Sequence, residues 1–255
     1  MNVKNEEIKE ERQDLIEGRN AVTEALRAGR AIDKIYLAKG DTDKALGHIA
    51  STARAAGTVV VETDRHKLDL MSVTGAHQGV IAVCAVREYV SIDEILQIAQ
   101  EREEPPFVII CDEISDPHNL GAIIRTAECA GAHGVIIPKR RSAGMTAVVG
   151  KASAGAVEHI AVARVPNITA AIKELKDAGL WIYGTAADGT NELWRTDLTG
   201  PIGLVIGSEG EGMSRLVAES CDFTVSIPLR GKVSSLNASA AAAVLMYEVL
   251  RQKSK

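Results

Sequence analysis

Aromatic side chains are scarce in these 255 residues: two Trp, four Tyr and two Phe, 3% of the chain. With 46% apolar residues the core must instead be built from Ala, Val, Ile and Leu. Cysteine is equally sparse. Cys84, Cys111, Cys129 and Cys221 lie far apart in mostly apolar contexts and form no CxxC pair. No His/Cys cluster accompanies them, so neither a zinc site nor a disulfide framework is expected; buried free thiols in a reducing cytoplasm are. No apolar run approaches the roughly 18 residues that span a bilayer. The opening MNVKNEEIKEER is polar and acidic, so neither a signal nor a transit peptide is expected, and no membrane partner. Internal repeats and low-complexity tracts are absent too.

Positive charge is in deficit, the net charge being −5. The deficit is local. Residues 1–11 carry −2 and residues 88–104 carry −5, whereas 12–87 carries +2 and 105–255 is balanced at fifteen of each sign. The acidity therefore sits in a tail and an expected linker, which leaves a nucleic-acid partner open, since local patches outweigh the total. Lys139-Arg140-Arg141, with Lys151 beyond, is one such patch; a solvated loop explains it as well.

What is present organises into two halves. Pro105-Pro106 follows a charged helical stretch, EILQIAQEREE, and precedes the strand-like Phe107–Cys111, marking a boundary. We divide the chain into residues 12–87, a linker 88–104, and 105–255. In the first part, DLIEGRNAVTEALRAG predicts a helix ending at Gly29, followed by short β-branched runs at Ile32–Leu37, Thr58–Val61 and Gly79–Val86. In the last part strands alternate with helices. Strands are expected at Val108–Cys111, Gly134–Ile137, Ile160–Val165, Leu180–Thr185, Ile202–Ile206 and Phe223–Ile227. Helices are expected at 119–130, 145–156, 168–178, 213–219 and from about Ser235 to Arg251. This alternation predicts an α/β fold with a mostly parallel sheet covered on both faces.

The stretch LVIGSEGEGMSRL, 204–216, has the strand–glycine-turn–helix layout of a phosphate cradle. The details disagree. No Lys-Ser/Thr follows the glycines, and their order is GxxGxG, which disfavours P-loop enzymes and nucleotide-dependent oxidoreductases. Glu209 and Glu211 within the turn would repel a phosphate. A ligand without phosphate and with a positive centre, such as S-adenosylmethionine, would avoid that repulsion; a tight turn with no ligand is the plain alternative.

Two further stretches accompany it: DEISDPHNLGAIIRTAECAG, 112–131, and VSIPLRGKVSSLNASAAAAVLMYEVL, 225–250. In order and spacing the three blocks resemble the motifs of the SpoU (TrmH-type) branch of SPOUT RNA ribose 2′-O-methyltransferases, over most of 105–251. IEGRNAVTEAL with IDKIYLA looks, more loosely, like the L30e-like RNA-binding domain of the bacterial 23S rRNA subgroup. The resemblance implies a small L30e-like α/β domain followed by a knotted SPOUT methyltransferase domain, working as a homodimer with S-adenosylmethionine. It implies 2′-O-methylation of a ribose in 23S rRNA, a guanosine in the peptidyl-transferase region. A tRNA ribose enzyme, a thiostrepton-resistance-type rRNA enzyme and a non-catalytic L30e-type RNA binder are the alternatives.

The resemblance further implies cofactor contacts at Thr185, Gly207, Ile227, Leu229 and Leu236, and catalytic roles for Asn119, Arg125, Glu209, Ser235 and Asn237. Residue chemistry offers plainer readings beside these. Asn119 reads as a helix N-cap. Arg125, among Ala122, Ile123, Ile124 and Ala127, needs an anion: Glu128 or Glu209 within the chain, or an RNA phosphate or developing alkoxide. Glu209 is expected to orient Arg125 or the motif loops. Ser235 and Asn237 read as caps of the last helix, or as groups holding the acceptor ribose. Ala240–Ala243 reads as a close-packing surface or simply a strong helix former.

Overall fold

The structure is a computed structural model that describes residues 15–40 and 43–254. The acidic tail 1–11 lies outside the described residues. The chain folds into two compact units: one holds the chain up to Glu88 together with Gly144–Val148, the other Tyr89–Ala143 and everything from Val149.

The first unit carries β1 (Leu15–Glu17), α1 (Arg19–Arg27), β2 (Ile32–Ala38), α2 (Lys44–Ala55), β3 (Val59–Thr63), α3 (Arg65–Met71) and β4 (Val80–Cys84). Among the described residues its four strands are ordered β1-β4-β2-β3, with β2 and β3 parallel and the other pairs antiparallel. The expected first helix is thus shorter than its periodicity suggested. Gly18, at φ 90°, breaks the stretch, so Leu15–Glu17 pairs as a strand with β4 and the helix starts at Arg19. The helix α3 was not expected; Asp64 caps it, accepting from the Lys67 N–H at 2.8 Å. Beyond α3, the Glu17 carboxylate gathers Ser72 Oγ (2.5 Å), Val73 N (2.5 Å) and Thr74 Oγ1 (2.6 Å). Burial alone would raise its pKa, but those donors bring it below the ordinary value.

The second unit contains α4 (Ile92–Glu101), β5 (Phe107–Cys111), α5 (Pro117–Cys129), β6 (Gly134–Pro138), α6 (Ala147–Ala152, entered from the first unit), β7 (Ala161–Val165), α7 (Ile168–Asp177), β8 (Trp181–Thr185), β9 (Asn191–Glu192), β10 (Ile202–Ile206), α8 (Arg215–Ser220), β11 (Phe223–Ser226) and α9 (Ala238–Lys253). Seven parallel strands run in the order β7-β6-β5-β10-β8-β11-β9. FVIIC, GVIIP and IGLVI are buried along their whole length, the signature of strands covered on both faces. The helices supply the cover through 3.6-residue spacing: Ile168, Ala171, Ile172 and Leu175 form the inward stripe of α7.

Three expectations change here. The segment 88–104, expected as a linker, carries α4, whose Ile92, Ile95 and Ala99 are buried in the second unit. Gly134 has no room for a side chain because Ile95 fills the space, with Cδ1 only 2.6 Å from an ideal Cβ. The helix expected over 145–156 is cut to Ala147–Ala152, because Ala154 and Gly155 take positive φ and a short 3-10 turn, Ala156–Glu158, follows. The short strand β9 and the 3-10 turn Leu193–Arg195 lie in a segment with no apolar period to announce them.

Candidate functional site

In a parallel sheet a ligand crevice forms beyond the carboxyl ends of the strands, where the strand order reverses. Here the chain runs β5-β6-β7 towards one edge, and β10, β8, β11 and β9 occupy the other side of β5. The segments leaving β8, β10 and β11 enclose a cavity of about 600 Å³. Thr185, Gly207, Ile227, Leu229 and Leu236 all line it, as do Glu209, Ser235 and Asn237. Asn119 and Arg125 do not. The volume falls within the usual range for small-molecule pockets, about 300–1,000 Å³. The walls also include Asp188 and Glu211, and none of them is a Lys or Arg. A phosphate would find carboxylates and no cation there; a neutral or cationic ligand suits the lining.

The glycine loop owes its shape to itself. Ser208 and Gly212 exchange backbone hydrogen bonds, Ser208 N to Gly212 O at 2.9 Å and Gly212 N to Ser208 O at 3.0 Å. Glu209-Gly210-Glu211 forms the tip of this small hairpin, with Gly210 at φ 92° and Gly212 at φ 71°. Gly207 has ordinary φ, but an ideal Cβ there would stand 2.3 Å from Gly212 C and from Met213 N. Close approach of the loop's own backbone is what requires glycine at 207. At the root of the loop Asp112, buried just past the end of β5, accepts from Ser214 N at 2.7 Å and so ties β5 to the start of α8.

The tip carboxylate has two amide partners. Glu209 Oε1 accepts from Asn119 Nδ2 at 2.9 Å and from Asn237 Nδ2, and Asn237 Nδ2 also donates to Asn119 Oδ1 at 3.0 Å. The other end of Asn237 caps α9, its Oδ1 accepting from Ser239 N and Ala240 N at 3.0 and 3.2 Å. One closed triangle thus joins the first turn of α5, the β10 loop and the start of α9.

Several expected placements are corrected. Asn119 is not an N-cap: Pro117 occupies the first helical turn and Asp116 caps α5, accepting from His118 N at 3.0 Å. Arg125 is exposed and forms no side-chain hydrogen bond or ion pair with the described residues, neither with Glu128 nor with Glu209. Six residues turn a helix by about 240°, so it faces away from Asn119 and cannot share the Glu209 contact. The apolar neighbours that suggested burial are themselves the inward face of α5. Ser235 lies in the loop before α9, three residues short of its first turn, and is not a cap. Cys129, also on α5, is exposed, and Cys221 is only partly covered. Cys84 and Cys111 are buried as expected, and burial with the neighbouring Asp112 charge pushes the Cys111 thiol up to about 12, which leaves it a packing group. Of the basic run, Arg141 pairs with Glu113 at 3.2 Å and Arg140 is exposed. Asp188 and the Asp112–Ser214 tie were not foreseen. Asp112 opens the stretch 112–131, so its position was visible, but its role depends on a partner 102 residues away. Among the described residues no three His, Cys, Asp or Glu side chains group to hold a metal, and no helix is long and apolar enough to cross a membrane.

Comparison with known proteins agrees with this fold. Residues 106–247 match the SpoU rRNA Methylase family, and residues 15–90 match the family described as RNA 2′-O ribose methyltransferase substrate binding. YacO of Bacillus subtilis (strain 168), which bears the name of a TrmH-family tRNA/rRNA methyltransferase, is 47% identical over 243 residues, covering 95% of this chain and 97% of its own. A Staphylococcus epidermidis protein of the same family name is 46% identical, covering 94% and 96%. Among solved structures, the SpoU methyltransferase AviRb from Streptomyces viridochromogenes, in complex with AdoMet, superposes with a TM-score of 0.60 at 25% identity, covering 99% of both chains.

Proposed function

This chain belongs to the SpoU rRNA methylase family, and on that premise we propose that it methylates a ribose 2′-hydroxyl of 23S rRNA, a guanosine in the peptidyl-transferase region, using S-adenosylmethionine. The observation that carries the reading is the cavity at the ends of β8, β10 and β11, walled by glycine backbone, apolar side chains and carboxylates, with no basic side chain in its wall among the described residues. Such walls fit a sulfonium and a free adenosine and reject a phosphate. When bound, S-adenosylmethionine supplies an electrophilic methyl group for in-line displacement by the ribose oxygen.

The chain's own residues then divide the work. Thr185, Gly207, Ile227, Leu229 and Leu236 form the walls that receive the cofactor. The Asn119–Glu209–Asn237 triangle fixes the hairpin tip and the head of α9, holding Ser235 and Asn237 beside the place where the acceptor ribose enters. Much of the acceleration comes from holding the two reactants in line. Arg125 binds the target phosphate and stabilises the developing 2′-alkoxide; its guanidinium, which offers donors and no acceptor, is an electrostatic partner and not a base. Its absence from the cavity of its own chain supports a homodimer in which it serves the neighbouring subunit. The first unit, matching a substrate-binding family, is the RNA reader, and a separate reader suits a folded rRNA target.

The test is methyl transfer from labelled S-adenosylmethionine to in vitro transcribed 23S rRNA, with tRNA transcripts beside it. Label on a single 23S ribose is expected; label on tRNA alone would move the assignment to the tRNA enzymes, and none on either would overturn it. Arg125→Ala should keep cofactor affinity within a few-fold and lower single-turnover transfer at least about 10²-fold. Its stability should stay within about 0.5 kcal/mol, as for other exposed positions.

A further inference from the structure

The cavity is bordered by acids, yet the proposed acceptor is a polyanion. Asp188, Glu209 and Glu211 line the walls, and among the described residues only Glu209 is occupied by side-chain partners. A ribose cannot reach the methyl donor without its flanking phosphates coming near these carboxylates. Something on the approach must offset that repulsion.

The residues between β11 and α9 are placed to do so. Ile227, Leu229, Ser234, Ser235, Leu236 and Asn237 line the cavity, so both ends of this segment form its wall. Between them runs Arg230-Gly231-Lys232-Val233, exposed throughout and without regular secondary structure. Arg230 and Lys232 make no side-chain hydrogen bond or ion pair with the described residues. The contrast with other cations of the second unit is informative: Arg215 pairs with Glu219 at 3.4 Å and Lys176 with Asp222 at 2.7 Å. Gly231, with nothing within 4 Å of an ideal Cβ, stands in open space between the two charges. Neither cation is needed to hold the fold.

We propose that Arg230 and Lys232 are positioning residues for the acceptor strand, binding the phosphates that flank the target ribose and holding that ribose at the cavity mouth. This rests on the RNA methyltransferase reading above. Two cations on one short segment match successive phosphates of a single strand, and Arg230 can take a phosphate in a two-pronged contact that a lysine cannot reproduce. Contacts of this kind carry no base information, so they place the strand while sequence is read elsewhere.

The experiment uses the full chain and in vitro transcribed 23S rRNA. Arg230→Ala with Lys232→Ala should raise the KM for RNA about tenfold or more while leaving the affinity for S-adenosylmethionine within twofold and the melting temperature unchanged. The dependence of log binding constant on log salt concentration should become shallower by about 0.7 (single strand) to 0.9 (duplex) for each phosphate the variant no longer neutralises, or roughly 1.4–1.8 for the pair. Arg230→Lys should restore most of the salt slope but not the full KM. An unchanged KM and slope in the double variant would overturn the proposal, as would a defect confined to cofactor affinity. Because the slope is read from RNA binding, it is distinguishable from failure of the methyltransferase reading, in which the unaltered chain itself transfers no methyl group.

Discussion

Gly207→Ala tests whether the site's shape is built by the loop or by its ligand. The substitution adds one methyl group, and its Cβ would lie 2.3 Å from two backbone atoms, Gly212 C and Met213 N, and 2.7 Å from Gly212 O. Carbon contacts are comfortable at about 3.5–4.0 Å, so the two arms of the hairpin must separate by roughly 1 Å or more. Overpacking of this kind costs about 1–3 kcal/mol. The separation also strains the paired bonds between Ser208 and Gly212, each worth about 1 kcal/mol. The combined effect is about 2–4 kcal/mol, which lowers the melting temperature of a chain this size by roughly 4–15 °C. The displaced hairpin lines the cavity, so affinity for S-adenosylmethionine should fall more than tenfold, about 1.4 kcal/mol. Gly179→Ala is the control. Its φ of 91° makes alanine unfavourable, by about 1–2 kcal/mol, yet nothing lies within 4 Å and it borders no part of the cavity. That variant should lose stability and keep its cofactor. Thermal melts and titration calorimetry decide the matter: a Gly207→Ala protein that melts and binds as the unaltered chain does would refute the close-approach argument.

Two further outcomes are expected from other parts of the chain. His133 is buried just before β6, its Nδ1 accepting from Phe107 N at 2.9 Å and its Nε2 facing Glu104 at 3.0 Å. Burial, outweighing Glu104, lowers its pKa from the ordinary 6.5, so the folded state resists a proton that the unfolded state accepts. Its contribution is therefore complete above pH 6.5 and declines as pH falls below that value. His133→Gln should be less stable than the unaltered chain at about pH 7.5, by about 1–2 kcal/mol for the missing buried bonds, and the gap in urea midpoints should narrow towards about pH 5; a gap that stays constant would contradict the assignment. Truncation tests α4: a chain starting at Glu88 should keep the second unit folded, whereas one starting at Pro105 loses Ile92 and Ile95, each worth about 1.5–3 kcal/mol of burial. Equal urea midpoints for the two truncated chains would show that α4 is dispensable.

Strands β5, β6 and β10 were the most legible because a parallel sheet buries both faces of its central strands, so each appears as an unbroken apolar run. IGLVI and FVIIC admit no other assignment at that length between glycine and proline signals. Helix ends were less legible. Pro117 moved the start of α5 two residues back, and Asn237, by capping, moved the start of α9 three residues beyond the expected Ser235, to Ala238. The strand Leu15–Glu17 was absorbed into a helix because three residues carry no period of their own; only Gly18 separates them from α1. The stretch before Pro105 was legible as helical, but its charge led 88–104 to be assigned as a linker; the apolar stripe Ile92, Ile95 and Ala99 and the Ser91–Glu94 capping box mark it as a packed helix. In the site, spacing brought the motif residues to attention but not their partners. Arg125 was read by its neighbours in sequence, whereas its environment is set by angular position on the helix.

The acids of the glycine turn therefore do two different jobs. Glu209 looks inward to the fold: it satisfies two buried or capping amides that arrive from α5 and α9, 90 and 28 residues away in sequence. Without it, Asn119, buried with its Nδ2 aimed at the hairpin, would lack an acceptor, an omission costing about 1–3 kcal/mol. Glu211 has no such partner among the described residues and stands exposed on the cavity wall, where Asp188 also lies. A structural need explains the first acid and not the second. Charge on a wall that receives a ligand acts on that ligand, and a negative wall favours the cationic donor of a methyl group over the neutral product left after transfer. The same charge would repel RNA, which is why cations on the adjoining segment, and not within the cavity, are the fitting arrangement for an enzyme that must bring a cation and a polyanion to one point.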